Sequence, residues 1–195
     1  MSGMTGHYDR TLIRFPLFSA LGLAITGLLA LGSNAQAYDE EAIVQLVETR
    51  ACYRCDLSGA DLRRYDLRGV NLGQADLRDA NFYLADLSDA DLNGADLSGA
   101  YLAQVTAIST NFNSARLNSA ALLNSDFSES SLLNASFDGA YIEDSLFHNA
   151  LLDTADLSTA LLVDSDFTGA GLCGTELDYG DYRRNCLVET NDLVE

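Results

Sequence analysis

Residues 55–84 read Cys55-Asp56-Leu57-Ser58-Gly59, Ala60-Asp61-Leu62-Arg63-Arg64, Tyr65-Asp66-Leu67-Arg68-Gly69, Val70-Asn71-Leu72-Gly73-Gln74, Ala75-Asp76-Leu77-Arg78-Asp79, Ala80-Asn81-Phe82-Tyr83-Leu84. The period is five. It continues without insertion or deletion from a centre at Leu57 to a centre at Leu177, which makes 25 repeats. The centre is Leu, Phe or Ile in 24 of them, and Ala107 is the exception. Two residues before the centre stands a small residue in 24 of 25, and Tyr65 is the exception. One residue before the centre is Asp or Asn in 13.

A period of five fits neither regular element. Steps of five advance about 140° on an α-helix, so the leucines would spiral around it. On a flat strand an odd step puts successive leucines on opposite faces. The conflict disappears if the chain turns a corner in every repeat. The small residue and the leucine, two apart, then both point inward. Asp, Asn, Ser and Gly suit the corners, because they turn the chain or bond its backbone locally. The number of sides follows from a longer recurrence. Ala121-Leu122-Leu123-Asn124-Ser125-Asp126-Phe127 aligns with Tyr141 to Phe147 and with Leu161 to Phe167, a spacing of 20. Four sides of five residues therefore make one coil. Ser125, Ser145 and Ser165 form one column, and Phe127, Phe147 and Phe167 another. Coils stacked ~4.8 Å apart give about six coils and a rod roughly 30 Å long. The handedness expected for parallel strand connections is right.

These A-D-L-x-x and A-N-F-x-x units resemble the pentapeptide-repeat family over residues 55–179. The resemblance implies an all-β solenoid, a right-handed quadrilateral β-helix. A closer likeness is to exported members from cyanobacterial periplasm or thylakoid lumen. Those pair a signal peptide with a short helix, a C-x-x-C before the first repeat and two cysteines after the last. Here the matching features are residues 39–50, Cys52/Cys55 and Cys173/Cys186.

A solenoid needs caps, because its end coils expose core and unpaired edges. Residues 38–54 are expected to hold an N-terminal cap helix, with Asp39 as N-cap and Ile43, Leu46 and Val47 covering the first coil. Residues 180–195 are expected to form a short C-terminal cap. Cysteine pairs at opposite ends of a rod lie too far apart for a bond, which needs Cα atoms within ~7 Å. The expected disulfides are therefore Cys52–Cys55 and Cys173–Cys186. Chain entropy makes the first worth about 2 kcal/mol and the second about 3 kcal/mol. A redox C-x-x-C needs a βαβ setting that this pattern lacks.

Residues 1–37 read as a signal peptide. Arg10 and Arg14 precede the uncharged run Phe15 to Leu31, and Ala35-Gln36-Ala37 is a small-x-small cleavage site. The run is shorter than the ~20 residues of a spanning helix, so no membrane anchor is expected after cleavage. The compartment expected is periplasm or thylakoid lumen.

The formal net charge is −18, with 11 arginines and no lysine, which argues against nucleic acid as a partner. Six arginines lie between Arg50 and Arg78, whereas residues 79–182 carry 17 acids and only Arg116. Asp56, Asp76 and Asp96 share a column, where like charges ~4.8 Å apart repel by about 0.9 kcal/mol even in water. Hydrogen bonds at the corners are the expected offset, rather than a cation. Ca²⁺ wants six to eight converging oxygens, and a ladder does not converge. No metal and no cofactor is expected. No catalytic constellation stands out, since His148 is the only histidine after residue 37 and the serines have no base beside them.

The expectation is an exported structural or interaction scaffold, a monomer with an unidentified protein partner, and not an enzyme. An alternative comes from the family resemblance. Cytoplasmic members mimic DNA and protect gyrase, and residues 79–182 carry about one charge per ~1.6 Å of rod, close to duplex DNA. The export signal disfavours it. Binding energy concentrates in aromatic and arginine anchors. The candidate docking residues are Arg63, Arg68, Arg78 and Tyr83, with Arg64 and Tyr65 nearby. The competing reading of these arginines is charge balance for Asp61, Asp66 and Asp76.

Overall fold

Each pentapeptide turns one corner and bonds to the coil above it. A computed structural model describes residues 39–177. The signal-peptide expectation, Cys186 with its expected bond to Cys173, and the C-terminal cap lie outside the described residues. Parallel bridges join residue i to residue i+20 throughout, from Ala51↔Asn71 to Leu151↔Gly171. The chain is a right-handed quadrilateral β-helix. We number its faces by their inward centres: face 1 from Leu57, face 2 from Leu62, face 3 from Leu67 and face 4 from Cys52 and Leu72.

The corner chemistry repeats. In the first repeat the Ala60 N–H donates to the Leu57 carbonyl at 3.0 Å, and Gly59 between them has φ 70°. A four-residue turn closed from the first carbonyl to the fourth N–H, with positive φ at its third position, is a type II turn. The same corner position is left-handed from Arg54 to Gly174 in all but Thr159, and only seven of these residues are glycine. The Asp or Asn before the centre supports each turn. All 13 accept a hydrogen bond from the N–H two residues on, as Asp56 does from Ser58 and Asp96 from Ser98. The expected corner bonds are thus present in the Asp56, Asp76 and Asp96 column. Among the described residues no group of three or more His, Cys, Asp or Glu is arranged to hold a metal ion.

The core is a single column of centres and small residues, buried from Leu57 to Leu157. Phe127, Phe147 and Phe167 stack at 5.2 and 4.7 Å on face 3. Ala107 lies beneath Phe127, and the neighbouring Phe112 ring meets Phe127 at 5.7 Å. Ile108 does not bulge inward. It stays half-buried and its carbonyl keeps its ladder bond to Asp89 N–H.

Face 2 changes character above the second coil. Four short parallel strands stack there as β1 (Tyr101–Ala103), β2 (Ala121–Leu123), β3 (Tyr141–Glu143) and β5 (Leu161–Val163). A second pair, β4 (Asp156–Leu157) with β6 (Glu176–Leu177), lies on face 1. At the corners after β1 to β3, Gln104, Asn124 and Asp144 keep a positive φ, but the bond that closes the turn is absent. A serine column replaces it: Val105 N–H donates to Ser125 Oγ, Ser125 N–H to Ser145 Oγ and Ser145 N–H to Ser165 Oγ, at 3.0 to 3.2 Å.

Helix α1 (Glu40–Thr49) closes the first coil. Asp39 caps it by accepting from Glu41 N–H at 2.9 Å, and left-handed Arg50 ends it. Ala42 and Leu46, one turn apart, bury against the coil, with Ile43 half-buried beside them. Val47 departs from the expected stripe and is exposed, because the contact runs along the i, i+4 line from Ala42. Cys52 and Cys55 are bonded to each other, with Cα atoms 5.3 Å apart across the first turn. Cys173 is not a free thiol.

Candidate functional site

The most pronounced departures from the repeat meet at the corner between faces 2 and 3. A groove of about 540 Å³ is lined there by Asp61, Arg63, Arg64, Tyr65 and Tyr83. Position 65 is where other repeats place a small inward residue. A tyrosine cannot fit that slot, so its ring stays half-buried against the core and walls the groove. Tyr83 follows the centre Phe82 and faces outward one coil above Arg63. Its own N–H is held by Asn81 Oδ1 at 3.0 Å, and its ring lies 6.4 Å from Tyr101.

The arginines divide into two kinds. Arg63, Arg68 and Arg78 each stand two residues after an aspartate, and residues two apart share the outward face. Each guanidinium therefore grips its own aspartate through Nε and Nη2: Arg63 on Asp61, Arg68 on Asp66 at 2.9 and 2.7 Å, Arg78 on Asp76. Hydrogen bonding from Arg68 holds the Asp66 carboxyl well below the usual range, and Arg63 and Arg78 do the same for Asp61 and Asp76. Arg50 and Arg116 lie near Asp66 and Asp96. Arg54 donates to Gln74 and lies 5.1 Å over the Tyr53 ring. Arg64 is the one arginine among the described residues with neither an ion pair nor a side-chain hydrogen bond. It stands three residues after Asp61, on the left-handed corner at φ 63°, which turns it away from that carboxylate.

The structure thus brings Arg63 and Tyr83 together in the groove. It separates the other two: Arg78 lies on face 1 and Arg68 on face 3. Arg64 and Tyr65, given less weight from sequence, join the first pair. Two signals in the sequence mark them. Tyr65 is the one large residue in a column of small ones, and Arg64 is an arginine without an aspartate two residues before it. At the far end His148 Nε2 meets Asp166 Oδ2 at 2.9 Å on the surface of face 3. Hydrogen bonds from Thr168 and then His148 hold the Asp166 carboxyl down at about 2.

Among the described residues no helix is long and apolar enough to cross a membrane. Residues 55–94, 85–122 and 110–149 match the family model for pentapeptide repeats, in eight copies. No curated relative matches the chain. A pentapeptide repeat protein from the Arabidopsis thaliana thylakoid lumen is 30% identical over 52% of this chain and 68% of its own, with a TM-score of 0.47. The pentapeptide repeat protein Rfr23 from the cyanobacterium Cyanothece 51142 is 23% identical over 71% of this chain and 98% of its own, with a TM-score of 0.42. QnrB1, a plasmid-mediated fluoroquinolone resistance protein, is 23% identical over 69% and 83%, with a TM-score of 0.34. Eight matched copies of the repeat and an unbroken 20-residue register agree: the chain belongs to the pentapeptide-repeat family.

Proposed function

We propose that this protein is an exported interaction scaffold whose first two coils dock a protein partner, while the acidic coils above act as a stiff, soluble spacer. The observation that carries the reading is the groove at the corner of faces 2 and 3, where Tyr65 and Tyr83 stand beside two guanidiniums. Aromatic rings and arginines of this kind supply most of the energy at protein interfaces. Pentapeptide-repeat proteins are generally structural or interaction proteins. Export rests on the Ala35-x-Ala37 site and agrees with the Cys52–Cys55 bond, since disulfides persist in oxidising compartments.

In this reading Arg68 and Arg78, which lie on other faces and pair with Asp66 and Asp76, serve charge balance rather than docking. The test is capture from the exported fraction of the native host with the mature chain, disulfides intact. Tyr83→Ala should abolish recovery of the partner, and Arg68→Gln and Arg78→Gln should leave it unchanged. Equal recovery by the parent chain and Tyr83→Ala would place the interface elsewhere.

A further inference from the structure

The docking corner carries a charge opposite to that of the molecule. One carboxylate, Asp61, faces two guanidiniums in the groove, Arg63 and Arg64, which leaves one positive charge in a chain of net charge −18. Asp61 is already occupied by Arg63 through both of its oxygens. Arg64 keeps its whole planar fork free, and a free fork beside aromatic walls is the arrangement that takes a carboxylate through two parallel bonds.

A second observation points to the same place. Leu84 stands one coil above Arg64 in the same corner column, at φ 61° and exposed. It is the one aliphatic residue at a left-handed corner in the described chain, where the pattern otherwise offers Gly or polar residues. The repeat imposes the left-handed φ at this corner, so what distinguishes Leu84 is its exposed apolar side chain. Tyr65 and Tyr83 line the groove beside the free guanidinium, and exposed Leu84 follows Tyr83 in the chain.

We infer that this corner is a binding site for a carboxylate next to an apolar side chain, presented by an extended segment of a protein partner. Arg64 takes the carboxylate, and Tyr65, Tyr83 and Leu84 take the apolar group. A single net positive charge matches a monoanion. A phosphate dianion would leave one negative charge uncompensated in the groove. The inference rests on the docking reading above and names its chemistry.

The test uses three small probes on the mature chain, followed by amide resonance shifts: N-acetyl-glycyl-phenylalanine with a free carboxylate, its amide, and N-acetyl-glutamyl-phenylalanine amide. Either acid should shift the amides of Arg64, Tyr65, Tyr83 and Leu84. Which acid binds tells a chain terminus from an acidic side chain. Arg64→Gly should weaken binding at least about tenfold while raising the melting temperature, because φ 63° suits glycine. That opposite movement separates lost recognition from lost folding, and Arg64→Gln is the second variant. Arg78→Gln should bind as the parent does. Binding of the uncharged amide as tight as that of the acids, no binding by either acid, or unaltered binding by Arg64→Gly would each overturn the proposal. If the acids fail while Tyr83→Ala still loses the captured partner, the carboxylate chemistry falls and the docking reading stands.

Discussion

Leu84 shows what one residue costs in this fold. A non-glycine side chain in the left-handed region crowds its own carbonyl, at about 1–2 kcal/mol. Asn and Asp recover part of this through local hydrogen bonds, and leucine cannot. Leu84→Gly should therefore raise stability by about 1 kcal/mol in urea denaturation. A loss would mean that packing of the Leu84 side chain outweighs its backbone strain. Ala107 poses the reverse question. Its column holds Leu or Phe elsewhere, yet Phe112 and Phe127 already meet above it. Ala107→Leu should cost about 1–3 kcal/mol, because the added atoms would displace those rings. A gain would reveal open space that the rings leave unfilled.

At the scale of elements, the serine column is the device that lets face 2 become a true sheet. After β1 to β3 the N–H of Val105, Ser125 and Ser145 makes no turn bond and donates instead to the serine one coil above. Each lies in the buried wall of the coil, where an unmet N–H costs about 1–3 kcal/mol. Ser125→Ala orphans Val105 N–H and should destabilise by that amount. Thermal melting and amide exchange at Val105 check it together. A small loss with Val105 still protected would show that the corner reverts to the type II turn used at Ala85. Helix α1 depends on its own end in the same way. Asp39→Ala should cost about 0.5–2 kcal/mol through the lost bond to Glu41 N–H.

The whole molecule responds to acid through its paired aspartates. Asp61, Asp66, Asp76 and Asp166 all have folded-state values below the unfolded one of about 3.9. Groups depressed in this way add stability that is complete above the unfolded value and fades as pH falls through the folded one. The melting temperature should hold from neutrality to about pH 4, then drop towards pH 2, where Asp166 titrates at about 2. A midpoint that rises over this range would show that relief of self-repulsion among the 29 acids dominates. Export is tested at the same scale. Mass spectrometry of the native protein should find Tyr38 as its first residue, and an intact Met1 in membranes would overturn both cleavage and export.

Local regularity made the coil readable from the chain alone. A period of five with an apolar centre forces a corner in each repeat, and recurrence every 20 residues sets four sides. The bonds of Asp and Asn to the N–H two residues on are local, so composition was enough to expect them. The exceptions Tyr65 and Ala107 were visible too, because a strict pattern exposes what breaks it. The 20-residue recurrence placed residues in columns between coils, but did not show which backbone groups bond across them. The sequence showed Ser125, Ser145 and Ser165 as a column, but only the missing turn bond at the corners beneath them explained which N–H groups they serve. The arginines divide for the same reason. Arg63, Arg68, Arg78 and Arg64 look alike in composition. Residues two apart share a face and pair with their own aspartates, while a left-handed φ at the corner turns Arg64 off that face and leaves its charge free.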